Sequence, residues 1–446
     1  MARRIGIGHQ DFETVRKQGY FYMDKTKFIR EWWESGDEVT LITRPRRFGK
    51  TLNMSMLEKF FSIKYAGRGD LFEGLSVWQE ESFRQMQGTY PVIFLSFANV
   101  KATTYSDARK AICNIITKLY NQFDFLVDSD RLNEKEKAFY QEVTAHMENY
   151  AAIDSLNALS GYLMKYYGKK VILLLDEYDT PMQEAYLNGY WQELVPFIRS
   201  FFNFTFKTNP YIERAIMTGI TRVSKESIFS DLNNLEVITT TSSKYETFFG
   251  FTEDEVSQAL ELYGLTDQKE EVRQWYDGFK FGNCGSIYNP WSILNYLGKR
   301  KFAPYWVNTS SNRLVAELIR HGSQEIQTDF EILMQGNAIE TNIDEEIVFD
   351  QLDDSQEAVW SFLLASGYLK IISIDDSAVK SSFLGKVKYE LALTNGEIQL
   401  MCASLVRGWF STVSGNYNRF VKALHLEEKK CGSAADRFWI TADHRL

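Results

Sequence analysis

An α/β fold, with a mostly parallel sheet layered between helices, is the class this sequence predicts, and three observations predict it. Residues 171–175 form an unbroken apolar run, the pattern of a strand covered on both faces. Two further segments, 38–43 and 91–97, read as buried strands. Strands alternate with stretches of helical apolar spacing through the first half of the chain, and that alternation builds a parallel sheet through crossover connections.

Residues 25–33 carry Phe28, Trp32 and Trp33 and read as a helix. The strand at 38–43 leads into an arginine- and glycine-containing loop and then a helix over 50–62. After the strand at 91–97, Ala108, Ile112, Ile115, Ile116 and Leu119 recur at helical spacing over 105–123. A charged helix at 133–150 and another at 155–167 precede the strand at 171–175. A helix at 191–208 and a strand at 213–218 complete a domain placed at 1–246. Beyond 247 the texture changes. Thr252 and Glu255 stand at the N-cap and N3 positions of a capping box. Helical patterns at 268–276 and 291–297 are separated by breaks at Asp277-Gly278 and Gly282-Asn283, so 247–300 reads as a small helical or winged-helix-like lid. Residues 301–415 read as mainly helical, with helices at 312–336, 354–367 and 395–412 and a strand pair at 369–374 and 387–393. The remainder, 416–446, reads as a truncated or atypical charged tail.

At 446 residues the chain is too long for one ordinary core, so two or three domains are expected. Hydrophobic residues at 44% and aromatics at 15% suffice for such cores and argue against extensive disorder. The 50 basic and 59 acidic side chains leave a net charge of −9, which gives nucleic-acid binding no global support and leaves it only a local basic patch. Cys113, Cys284, Cys402 and Cys431 lie far apart, as suits a reducing compartment, and neither they nor the five histidines (His9, His146, His321, His425, His444) show metal-site spacing. No apolar leader or membrane-length apolar stretch is visible, so the reading is a cytoplasmic protein without a membrane segment.

The chemistry concentrates at Arg44-Pro-Arg-Arg-Phe-Gly-Lys-Thr51, which matches the phosphate-loop pattern G-x-x-x-x-G-K-[ST] except that Arg44 replaces the first glycine. It lies between a buried strand and a helix start, the context a phosphate loop requires. Gly49 lets backbone approach an anion, and successive N–H groups with the helix N-terminus bind it. Lys50 neutralises phosphate oxygens and the Thr51 hydroxyl ligates Mg²⁺. Arg44, Arg46, Arg47, Phe48 and Leu52 complete the candidate nucleotide contacts, the arginines through charge-assisted bonds. A glycine position filled by a side chain with a Cβ stands out as the departure. Far downstream, residues 171–177 form a second pattern, an apolar strand delivering Asp176 and Glu177 at its carboxyl end. Asp176 would hold Mg²⁺, and Glu177 would orient and polarise a water. Asp179 is expected as a helix cap or partner of a base. The strand at 213–218 ends in polar residues, among which Thr218 or Thr221 would sense a γ-phosphate and Arg222 would stabilise charge, in cis or toward a neighbouring subunit. Both patterns together predict a P-loop NTPase of three-layer αβα build. Absence of an Asn-Lys-x-Asp element favours ATP over GTP.

These segments, with Gly19-Tyr-Phe-Tyr-Met-Asp-Lys25, Leu175-Asp-Glu-Tyr-Asp-Thr-Pro181, Phe229-Ser-Asp-Leu-Asn-Asn-Leu235, Trp275-Tyr-Asp-Gly-Phe279, Ile287-Tyr-Asn-Pro-Trp-Ser292 and Tyr305-Trp-Val-Asn-Thr-Ser310, resemble the bacterial AAA-ATPase-like family over about residues 5–415. The resemblance implies an ATP- and Mg²⁺-dependent protein, a homo-oligomer of the kind AAA-like relatives form, and an unidentified protein partner. It implies that an arginine at the first loop position is usual. Members often continue into a PD-(D/E)XK nuclease-like domain, and Tyr389-Glu-Leu-Ala-Leu-Thr-Asn-Gly-Glu397 resembles the approach to one. Glu427-x-Lys429 matches that nuclease's letters alone, so no nuclease activity is expected. The leading reading is an ATP-hydrolysing regulatory switch; the alternatives are a non-catalytic nucleotide-gated interaction protein and a remnant of a nucleic-acid-processing ATPase–nuclease.

Overall fold

Strands β1 (Val39–Thr43), β2 (Val92–Ser96), β3 (Val171–Asp176), β4 (Ile212–Gly219) and β5 (Leu235–Ile238) form one parallel sheet in the order β2-β3-β4-β1-β5. This computed structural model describes residues 3–222, 228–229, 232–306, 313–344, 349–352, 355–375, 377 and 387–410. All residues of β1 and β3 are buried, as expected for strands with helices on both faces. Register places Ile42 beside Thr218 and Ser96 beside Asp176, so the carboxyl ends of β1, β3 and β4 share one edge. That edge gathers the candidate site residues read from the sequence.

Helices Lys50–Phe61, Tyr105–Tyr120 and Trp191–Phe206 lie where the apolar spacing puts them. The charged helix is shorter than expected, Glu134–Glu142, and the next begins earlier, Asn149–Tyr167. Val143 and Met147 drop into the core between them, which interrupts the helix despite favourable propensity. The helix Thr180–Asn188 and strand β5 were not expected; each is short and has weak periodicity of its own.

The lid is more than helical. Strands β6 (Phe251–Thr252), β7 (Phe279–Phe281) and β8 (Cys284–Tyr288) form an antiparallel sheet in the order β6-β8-β7, accompanied by helices Glu253–Leu262, Lys269–Tyr276 and Pro290–Lys299. The Gly282-Asn283 break is the hairpin turn joining β7 to β8. The Thr252–Glu255 capping box forms, and Glu255 also pairs with the buried ammonium of Lys25 at 2.6 Å, tying the N-terminal segment to the lid. A separate core containing Val256, Leu260, Val272, Tyr276, Ile293 and Tyr296 fills the lid.

In the C-terminal region the expected strand pair is a three-stranded antiparallel sheet: β9 (Ile339–Thr341), β10 (Leu369–Asp375) and β11 (Lys388–Leu393), in the order β10-β11-β9. The helix expected over 312–336 divides into Arg313–His321 and Gln324–Met334, because Ser323 caps the second by accepting from the N–H of Ile326. The last helix is Gly396–Phe410. The tail expected at 416–446 lies outside the described residues, as do residues 307–310 of the Tyr305–Ser310 motif and residues 230–231 of the Phe229–Leu235 motif.

Lid and C-terminal region meet at Gly278, whose φ is +116° and where a Cβ would come 2.1 Å from the Thr394 carbonyl oxygen. Gly278→Ala is expected to lower stability by about 2–3 kcal/mol in urea denaturation. Gly285→Ala, in open space on β8, is expected to change it by less than about 0.5 kcal/mol.

Candidate functional site

β1 delivers the chain into residues 44–49, and the helix Lys50–Phe61 starts behind Gly49, which sits at φ +83°. Arg47 also lies in the left-handed region, at φ +67°, while Arg44 does not. The strain expected from a Cβ at position 44 therefore falls on Arg47 instead. The Lys50 ammonium is buried and donates to the carbonyls of Arg44 and Pro45 at 2.8 and 2.9 Å. Burial lowers its pKa, against the opposing pull of Glu177, Asp179 and Asp176.

Asp176, at the end of β3, is 1% exposed. One carboxylate oxygen accepts the Thr51 hydroxyl at 2.8 Å and the other accepts the Thr218 hydroxyl at 2.6 Å. Burial raises its pKa; the Thr218 bond lowers it, Glu177 raises it, and Thr51 and Lys50 lower it. The next residue, Glu177, holds φ +51°, an uncommon conformation for a residue with a Cβ, and accepts a 3.3 Å bond from the Thr180 hydroxyl. One carboxylate and one hydroxyl in contact form a hard-oxygen pair, the donor chemistry a Mg²⁺ ion takes alongside phosphate and water. Lys50, Thr51, Asp176, Glu177 and Thr218 are thus gathered at one sheet edge.

The loop's remaining residues divide by direction. Arg44 is fully buried, donates from Nη1 to the carbonyls of Thr43 and Thr239 at 2.8 and 2.6 Å, and lies 4.7 Å from the Phe281 ring. Burial pushes its pKa down to about 9, with Glu246 opposing. The expected charge contact of Arg44 with phosphate is therefore corrected: its guanidinium ties the loop to β5 and the lid. Phe48 is equally buried, with Phe279 and Phe281 at 4.7 and 5.3 Å, so its backbone is what it offers to a ligand. Leu52 packs partly buried against the main core. Arg47 is exposed and lies 4.5 Å over Trp291 of the lid. Arg46 Nη2 reaches Oε1 of Gln183 at 3.2 Å, while its carbonyl accepts Trp306 Nε1 at 2.9 Å and Asn289 Nδ2 at 3.3 Å. Arg222 stands half-buried beyond the end of β4.

Asp179 occupies the N-cap position of the helix Thr180–Asn188 but does not cap it through its side chain. Its Oδ2 instead accepts the backbone N–H groups of Ile220 and Thr221 at 2.8 and 3.0 Å and the Thr221 hydroxyl at 3.2 Å, so it anchors the turn after β4. Gln183 escaped the sequence reading. Its signal is the i, i+4 spacing from Asp179, legible once a helix is assigned to 180–188.

Residues 6–229 match the model of the AAA-ATPase-like family, described as a predicted AAA-ATPase. An uncharacterized protein in the vnfD 5′ region of Azotobacter chroococcum mcd 1 is 29% identical over 321 residues, covering 71% of this chain and 56% of that protein. The chain thus spans little more than half that relative's length. The ORC2 protein of Aeropyrum pernix, solved as ADPNP–ADP complexes, aligns over 85% of this chain and 92% of its own with 9% identity and a TM-score of 0.28, too slight a likeness to carry an argument. No helix among the described residues is long and apolar enough to cross a membrane.

Removing Arg44 leaves a cavity beneath Phe281 and takes one donor from each of the Thr43 and Thr239 carbonyls, the latter keeping the Ser242 N–H. Arg44→Ala is expected to cost about 2–4 kcal/mol in urea denaturation. Arg47→Ala, which removes an exposed contact with Trp291, is expected to cost about 0.5–1 kcal/mol.

Proposed function

The chain belongs to the AAA-ATPase-like family, matched over half its length, and on that premise we propose that it binds Mg-ATP and hydrolyses it, using the nucleotide to switch the lid and C-terminal region. The observation that carries this reading is the buried Asp176 carboxylate, held between the hydroxyls of the phosphate loop's Thr51 and the neighbouring strand's Thr218. Such a geometry poises one charged oxygen donor and one neutral one at the mouth of an anion-binding helix N-terminus. Bound Mg²⁺ would neutralise phosphate charge there. Lys50 would exchange its loop carbonyls for phosphate oxygens, Glu177 would orient and deprotonate a water, and Thr218 would hold Asp176 while sensing the terminal phosphate.

The switch follows from the grip of the lid and the C-terminal region on the same loop. Trp306 and Asn289 donate to the Arg46 carbonyl, and the Gly250 N–H donates to the Phe48 carbonyl at 3.2 Å. Any phosphate-driven shift of residues 46–48 must break or move these bonds. A nucleotide-gated interaction protein without turnover shares the binding half of this reading and differs in the role of Glu177.

Phosphate release from Mg-ATP by the full chain distinguishes the two. Lys50→Ala is expected to abolish ATP binding and turnover together. Glu177→Gln is expected to keep ATP affinity and lose at least about 100-fold in kcat. Tight binding without turnover in the unsubstituted chain would establish the non-catalytic switch instead.

Asp176 must be ionised to hold a cation, and burial raises its pKa. Mg²⁺-dependent ATP binding is therefore expected to weaken on acidification at a higher pH than a solvent-exposed carboxylate would dictate. Thr218→Val, which removes a bond that lowers this pKa, should move the midpoint further up. Nucleotide titrations across falling pH check both.

A further inference from the structure

The structure turns two of the loop's three arginines away from Asp176 and Glu177: Arg44 lies buried beneath Phe281, and Arg47 lies over Trp291 on the lid side. Arg46 takes a third direction. Its guanidinium reaches Gln183 on the helix Thr180–Asn188, which begins immediately beyond the two acids. Gln183 is itself fixed, being 7% exposed, with Nε2 donating to Asp179 Oδ2 at 3.1 Å. Asp179, 1% exposed, is locked by the N–H groups of Ile220 and Thr221. This network assigns the amide its orientation, nitrogen toward the carboxylate and oxygen toward the guanidinium. The side chains of Trp306 and Asn289 donate to the Arg46 backbone carbonyl and hold the residue at its other end. The result is a partly exposed cation held at its guanidinium by the helix that follows the two acids and at its backbone by the lid side.

We propose that Arg46 is the charge-stabilising cation of the hydrolytic step, supplied by the chain's own loop and aimed by Gln183 as a positioning residue, so that turnover needs no arginine from a neighbouring copy. This rests on the ATPase reading of the site. In the step, the oxygen of a water held by Glu177 bonds to the γ-phosphorus as the bond from that phosphorus to the β,γ-bridging oxygen breaks. The bridging oxygen keeps the electron pair and leaves as part of ADP, and the water's proton passes to the Glu177 carboxylate, giving inorganic phosphate. Negative charge spreads over the bridging and equatorial oxygens during transfer. A planar guanidinium can meet two such oxygens with parallel N–H bonds in a fixed fork, whereas an ammonium such as Lys50 acts as a point charge without that geometry.

The test is phosphate release by the full chain at saturating Mg-ATP, with ATP affinity measured separately. Arg46→Ala is expected to lose at least about 100-fold in kcat while its ATP Kd stays within about fivefold, the signature of an interaction made in the transition state. Gln183→Leu is expected to lower kcat about tenfold without changing Kd, because it loosens the aim of a group still present. Added guanidine should restore part of the Arg46→Ala rate and none of the Lys50→Ala rate. Equal mixtures of Arg46→Ala and Lys50→Ala should stay inactive. Recovery on mixing would overturn the proposal by assigning the cation to a neighbour. So would an unchanged kcat in Arg46→Ala, or equal losses of affinity and rate without guanidine rescue. No turnover in the unsubstituted chain would instead overturn the ATPase reading, and this inference with it.

Discussion

Burying a carboxylate at the end of a central strand costs several kcal/mol of lost hydration unless donors meet its oxygens. Asp176 is in that position, and the two hydroxyls that meet it come from different elements: Thr51 from the helix after β1 and Thr218 from β4. Three segments far apart in sequence are thereby held in one register at one sheet edge. Asp179 repeats the device three residues later, closing the turn after β4 with two backbone N–H groups. The edge these bonds hold together fixes where the loop, Glu177 and the helix Thr180–Asn188 stand relative to one another.

The loop at residues 44–49 is built as much by its contacts with residues 279–291 as by its own backbone. Phe48 enters the lid sheet between Phe279 and Phe281, and Arg44 sits under the same Phe281. An arginine at the first loop position thus serves the same interface as the phenylalanine at the fifth. Its burial is costly, as its lowered pKa shows, and carbonyls and aromatic faces offset that cost. The Glu397 carboxylate extends the connection, accepting from the Ser292 hydroxyl at 2.8 Å and from the Trp306 N–H, so the last helix, the lid and the loop form one bonded series.

Much of this architecture is legible in the amino-acid sequence. The apolar runs locate four of the five strands in the parallel sheet, because strands covered on both faces cannot hide their composition. The capping box at Thr252 is a local signal and forms as read. Where the sequence falls short, the missing information is non-local. Strand β5, strand β9 and the β7–β8 hairpin are short segments stabilised by what they pair with, and the helix Thr180–Asn188 is held by Asp179 and Gln183 bonds that no periodicity reveals.

By itself the sequence determined the candidate site's address: a loop with Gly-Lys-Thr behind a strand and two acids at the end of another, which fold to one edge because a parallel sheet puts all its carboxyl ends there. Tertiary structure alone decided what each charge in that address does. Arg44, Arg46 and Arg47 are indistinguishable as letters. Burial under Phe281, a bond to Gln183 and a stack on Trp291 send them in three directions, because the neighbours that compete for each guanidinium come from elements more than a hundred residues away.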